Sequence, residues 1–88
     1  MPDTLRLFME NHDLVWCGRK LWRDDRCIGE VRVIGEDDAV LPRVEYGLVD
    51  GPHFRPINGF TVEVGGDYRI DETKAELVHY FEKKWYKE

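Results

Sequence analysis

Apolar and polar residues alternate with a period of two through much of the chain and switch to a helical period only near its end. Leu5, Leu7 and Met9 alternate with Arg6, Phe8 and Glu10, which predicts a strand over residues 4–10, although Leu5, Phe8 and Met9 also fit one helical face. Asn11-His12-Asp13 is turn chemistry. Leu14 to Arg23 reads as one long strand, Asp24-Asp25 as a tight turn, and Cys27 to Ile34 as a second long strand.

A two-residue turn at Asp24-Asp25 pairs Trp22 with Cys27, Leu21 with Ile28, Arg19 with Glu30 and Trp16 with Val33. Side chains alternate across a strand. One face then carries Leu14, Trp16, Trp22, Cys27, Val31 and Val33, and is largely apolar. The other carries Arg19, Leu21, Arg23, Arg26, Ile28 and Arg32 and is mixed. A turn at Asn11-His12 would place Leu5, Leu7 and Met9 on the apolar face, which favours strand over helix for 4–10.

Gly35 to Ala39 reads as a loop, and Pro42 opens a strand in which Val44, Tyr46 and Leu48 alternate with Arg43, Glu45 and Gly47. Residues 50–59 hold two prolines and two glycines, which argues against a central strand. Asn58-Gly59 is a hairpin-turn dipeptide, so 53–57 is either a short edge strand or a loop. Phe60, Val62 and Val64 form a further alternating run, Gly65-Gly66-Asp67 a turn, and Tyr68-Arg69-Ile70 a short strand candidate.

The last segment has helical spacing, with Leu77, Val78, Phe81 and Trp85 on one face. Thr73 with Glu76 fits a capping box, Asp71 is the alternative N-cap, and Lys83, Lys84 and Lys87 suit the negative end of the helix dipole. The fold class is therefore α+β: one domain over 1–88, an antiparallel meander of about five strands with a C-terminal helix packed on one sheet face. The helix is expected over Trp16, Trp22, Val31 and Val33.

Length limits what such a fold can do. A chain of 88 residues supports one modest core and excludes multi-domain enzymes and repeat arrays. Hydrophobic residues at 42% and charged residues at 35% make it globular rather than disordered in composition. A net charge of −5 disfavours non-specific binding to nucleic acid or an anionic membrane. No apolar run is long enough to span a bilayer, and the start lacks the pattern of a secretory signal. Cys17 and Cys27, placed on opposite faces, are expected not to pair, and free thiols favour a cytoplasmic location.

The chemistry of catalysis is sparse. There is no serine, no Cys-x-x-Cys and no phosphate-binding loop. Asp24-Asp25 and Asp37-Asp38 read as exposed turns rather than acid/base pairs. His12, His53 and His79 fall on a turn, a loop and a helix, with no metal-ligand spacing. We therefore expect no enzyme, no metal and no cofactor.

Two surfaces remain as candidates. The first is the mixed face of Arg19, Arg23, Arg26 and Arg32 with Leu21 and Ile28, since apolar residues beside arginine are typical of contact surfaces. The second is the Pro-braced segment bearing His53, Phe54, Arg55 and Asn58. The reading is a small protein-interaction module that acts as an adaptor, inhibitor or assembly subunit, with a protein partner or self-association through the Arg/apolar face, a sheet edge or residues 50–59. The alternative is a single-stranded nucleic-acid binder using the arginine face, and a weaker one is an acidic nucleic-acid mimic.

Overall fold

The computed structural model describes residues 1–35, 42–63 and 65–86. Residues 36–39 of the expected loop, Val64 and Lys87 lie outside the described residues. The elements run α1 (Asp3–Asn11), β1 (Leu14–Cys17), β2 (Lys20–Arg23), β3 (Arg26–Ile34), β4 (Arg43–Asp50), β5 (His53–Thr61) and α2 (Ile70–Tyr86). The five strands form one antiparallel sheet in the order β1-β2-β3-β4-β5, so the chain meanders from one edge to the other. The helix α2 packs on one face of this sheet, and α1 packs against α2 and β1.

Residues 3–11 are helical, which corrects the strand expected over 4–10. Leu5 and Phe8 are buried while Leu7 is 58% exposed, so the helical spacing and not the two-residue alternation matches the core. Pro2, extended at φ −60° and ψ 148°, precedes the helix, and its carbonyl accepts from the Leu5 and Arg6 N–H groups at 3.1 and 3.2 Å. Nine residues are too few for a stable isolated helix, so α1 depends on docking. Phe8 supplies that contact, with its ring 5.6 Å from Trp85, 5.8 Å from Tyr86 and 4.4 Å from His12.

The long strand expected over 14–23 is instead a hairpin. Gly18, at φ +59°, turns the chain so that Cys17 faces Lys20 and Trp16 faces Leu21. The turn at Asp24-Asp25 is present, and Trp22 faces Cys27. The pairing then shifts by one: Leu21 faces Gly29 and Lys20 faces Glu30, leaving Ile28 as an extra residue. The expected pairs Leu21–Ile28, Arg19–Glu30 and Trp16–Val33 do not form. Leu21 is fully buried, and Trp22 lies on the opposite face from it, away from α2.

The second half is simpler than its sequence suggests. Asp50 faces His53 across Gly51-Pro52, and β5 runs unbroken to Thr61. Residues 53–57 are thus edge strand, and Asn58-Gly59 lies inside β5 instead of making a turn. A bulge in the pairing beyond Tyr46 absorbs the extra residue near Pro56. Proline is tolerated because β5 has a neighbour on only one side. Gly47 is required there: a Cβ on it would collide with the Arg55 carbonyl oxygen.

The helix α2 begins at Ile70, so Tyr68-Arg69-Ile70 is not a strand, and Thr73 is an interior residue rather than the cap. Its hydroxyl donates to the Arg69 carbonyl at 2.8 Å, and Arg69 sits at φ +54°. Leu77, Val78 and Phe81 are buried and Trp85 partly so, as the spacing predicts. They meet Leu14, Leu21, Val31, Val44 and Tyr46 in a core that also includes Leu5 and Phe8.

Two positions test this packing. A Cβ on Gly29 would lie 2.9 Å from Leu77 Cδ2, so Gly29→Val should lose about 1–3 kcal/mol in urea denaturation through overpacking. Trp16 Nε1 is buried with no hydrogen-bond partner among the described residues. Removing an unsatisfied donor offsets lost packing, so Trp16→Phe should cost less than about 1 kcal/mol.

Tyr46 is an ionisable group within the core. Burial pushes its phenol above its ordinary value of 10.0, the Glu76 carboxylate adds to that, and a hydrogen bond with Asn58 opposes it. The native state then holds this proton at a pH where the unfolded chain has released it. Its contribution is complete below about pH 10 and is lost as pH rises through the folded value. Urea midpoints measured from about pH 8 to 11 should fall less steeply in Tyr46→Phe than in the wild type.

Candidate interaction surface

The turn at Gly18 and the bulge at Ile28 decide which residues share the uncovered face. Together they disperse the arginine cluster expected from sequence. Arg19 is in the β1–β2 turn, where its carbonyl accepts from the Val31 N–H at 2.8 Å. Arg23 is on the helix side, with its guanidinium carbon 4.9 Å from the centre of the Trp85 ring. Arg26 is in register with Arg23 and lies 3.4 Å from Asp50, in a well-exposed pair of little energetic weight. Leu21 belongs to the core, and Ile28 is half-buried and packs against it. Of the four arginines, Arg32 alone lies on the uncovered face.

The second candidate group also divides. Successive side chains of β5 point to opposite faces. Phe54, in register with Val49, joins the uncovered face. Arg55 is in register with Leu48, and Asn58 with the core residue Tyr46, which places both on the helix side. His53 is exposed at the strand start, and the Asn58 side chain accepts from the Gly59 N–H at 2.8 Å.

Arg32 and Phe54, drawn from two separate candidate groups, meet. The Arg32 guanidinium carbon lies 3.9 Å from the centre of the Phe54 ring, and its Nε donates to Glu30 at 2.8 Å. Around this contact the cross-strand pairs alternate in sign, with Lys20 facing Glu30 and Arg32 facing Glu45. Arg43 lies 3.9 Å from Glu45 on the same face.

Beside the charged rows runs an apolar band. Val15, Trp22 and Cys27 are in register across β1, β2 and β3. Val49 and Phe54 are in register across β4 and β5, at the same end of the sheet. Val15 is 61% exposed, and the other four are half-buried. No described element covers them. The period-two pattern reads Trp22 as a core residue and singles out neither Val15 nor Val49 as a contact residue. The available signal was Gly18, a turn former inside what reads as one continuous strand.

The same parity places Cys17 and Cys27 on one face, not on opposite faces. Both thiols are free. Their strands are separated by β2, about 10 Å, which exceeds the Cα spacing a disulfide spans. Among the described residues no group of three or more His, Cys, Asp or Glu is placed to hold a metal ion, and no helix is long and apolar enough to cross a membrane.

Comparison with protein-family models gives no match, and neither the curated proteins nor the solved structures contain a significant similarity to this chain.

The Arg32–Phe54 contact is testable by itself. A double-mutant cycle with Arg32→Ala and Phe54→Ala, read by urea denaturation, should give a coupling of about 0.5–1 kcal/mol. Additive single effects would mean that the two side chains are neighbours without attraction.

Proposed function

We propose that this chain is a protein-interaction module, serving as an adaptor, inhibitor or assembly subunit, and that it binds its partner through the uncovered face of the sheet. The observation that carries this reading is the apolar band of Val15, Trp22, Cys27, Val49 and Phe54 beside rows of alternating charge. An apolar band beside charged residues, with an aromatic and an arginine in contact, has the composition of a protein contact surface. Strand lengths and spacing give the face roughly 500 Å², so a matched pair of surfaces would bury about 1,000 Å², near the lower limit for a specific interface. The partner offers a flat surface with an apolar strip and both signs of charge.

The single-stranded nucleic-acid reading has less support. Its arginine face is divided, and on the uncovered face Arg32 and Arg43 each lie beside a glutamate. Phosphates would have to displace those carboxylates.

The test is affinity purification from the native host with mass spectrometry, combined with light scattering of the pure protein. Trp22→Ala and Phe54→Ala should retain the fold but lose the recovered partner or the self-association. A wild type that stays monomeric and partnerless, or variants that recover the same partner at the same yield, would defeat the proposal. Binding to oligonucleotides that weakens steeply with salt would transfer support to the alternative.

A further inference from the structure

A groove of about 610 Å³ lies on the helix side of the molecule, between the end of β5 and the first turns of α2. It is separate from the uncovered face, and nothing argued for that face bears on it. Its volume falls within the range of small-molecule sites. It has room for a molecule and is too large for a lone ion.

Its lining has two characters. Val44, Phe60, Val62 and Tyr68 give it apolar and aromatic walls. Phe60 is 42% exposed, and its ring stacks on Tyr46 at 6.4 Å, so it is held in place from behind. Glu63, Asp67, Glu72 and Glu76 supply four carboxylates against the single cation Arg69. The Arg69 guanidinium lies against one of them, with its Nη1 3.5 Å from Glu72, and the Arg69 backbone N–H donates to Asp67 at 3.0 Å. Glu63 and Glu76 take part in no ion pair among the described residues. The rise of the Tyr46 phenol, to which Glu76 contributes, fits a negative field here.

The geometry points to a binding site for a free organic cation, an amidinium, guanidinium or ammonium on an apolar body. The aromatic walls would take the body and the face of the cation, and the carboxylates would set its sign. An anion is disfavoured although the groove adjoins a helix N-terminus, because Asp67, Asp71 and Glu72 already face that end.

Benzamidine is a suitable probe, with neutral benzamide and anionic benzoate as matched controls, followed by amide shifts in two-dimensional NMR. Benzamidine should shift the amides of Phe60, Thr61, Gly66 and Glu76 and saturate with a Kd of about 1 mM or tighter. Added salt should weaken it. Glu63→Gln with Glu76→Gln should weaken it several-fold while benzamide is unaffected, and Phe60→Ala should weaken both ligands. These three residues are exposed, so the variants should retain the native spectrum elsewhere. Equal shifts from benzamide and benzamidine, unchanged affinity in the double variant, or no shifts at these amides would overturn the assignment. A lysine- or arginine-bearing peptide that binds where benzamidine does not would overturn it too, making the groove a contact for a partner's side chain.

Discussion

The fold depends on the seating of Leu77 over Gly29. The central strand β3 has no side chain at this point, so α2 can approach until Leu77 Cδ2 occupies the space a Cβ would need. That approach buries Leu77, Val78 and Phe81 against Leu21, Val31, Val44 and Tyr46. Everything else on this side follows from it. Trp85, one turn beyond Phe81, extends past the sheet centre and receives Phe8 from α1 and the guanidinium of Arg23. The N-terminal helix therefore docks on α2 and β1, with Leu5 and Phe8 buried.

The same glycine explains the bulge. Leu21 must face Gly29 to share the pocket under Leu77, whereas a regular hairpin from Asp24-Asp25 would set Leu21 against Ile28. One extra residue on β3 reconciles the tight turn with the core. Its consequence is a change of parity on β2: Leu21 goes inward and Trp22 outward. Burial of a leucine in a close-packed site decided the register, and a half-buried aromatic on the uncovered face was the result.

What could be read in the sequence divides along this line. The meander, the Asp24-Asp25 turn, the β4 alternation and the apolar face of α2 were legible, because each rests on local periodicity or turn chemistry. The identity of the 4–10 segment was not. Its apolar residues satisfy both periods, and the choice fell to the exposure of Leu7 and the docking of Phe8, which are tertiary facts. The candidate surface was less legible still. Face assignments propagate along strands, so missing one turn at Gly18 and one bulge at Ile28 misplaced Leu21, Trp22 and Arg23 together. Arg32 and Phe54 were each singled out as candidate groups, but their contact joins β3 to β5 and no local pattern contains it.

Chain length accounts for the asymmetry between the two faces. A helix of 17 residues is about 25 Å long, enough to cross one side of a five-stranded sheet. The nine residues of α1 extend that same layer, since Phe8 docks on Trp85 instead of on the far side. Both helices are thus committed to one face, and the aromatic residues divide accordingly: Phe8, Tyr46, Phe81 and Trp85 under or between helices, Trp22 and Phe54 on the other side. A face meant only for water would be expected to carry polar residues at those last two positions, as β-sheets with one solvated side do. The charge rows around Arg32 lie beside this apolar band, and the proposed binding role rests on that juxtaposition. That combination gives physical grounds for a binding role in a chain whose net charge of −5 says little about any one surface.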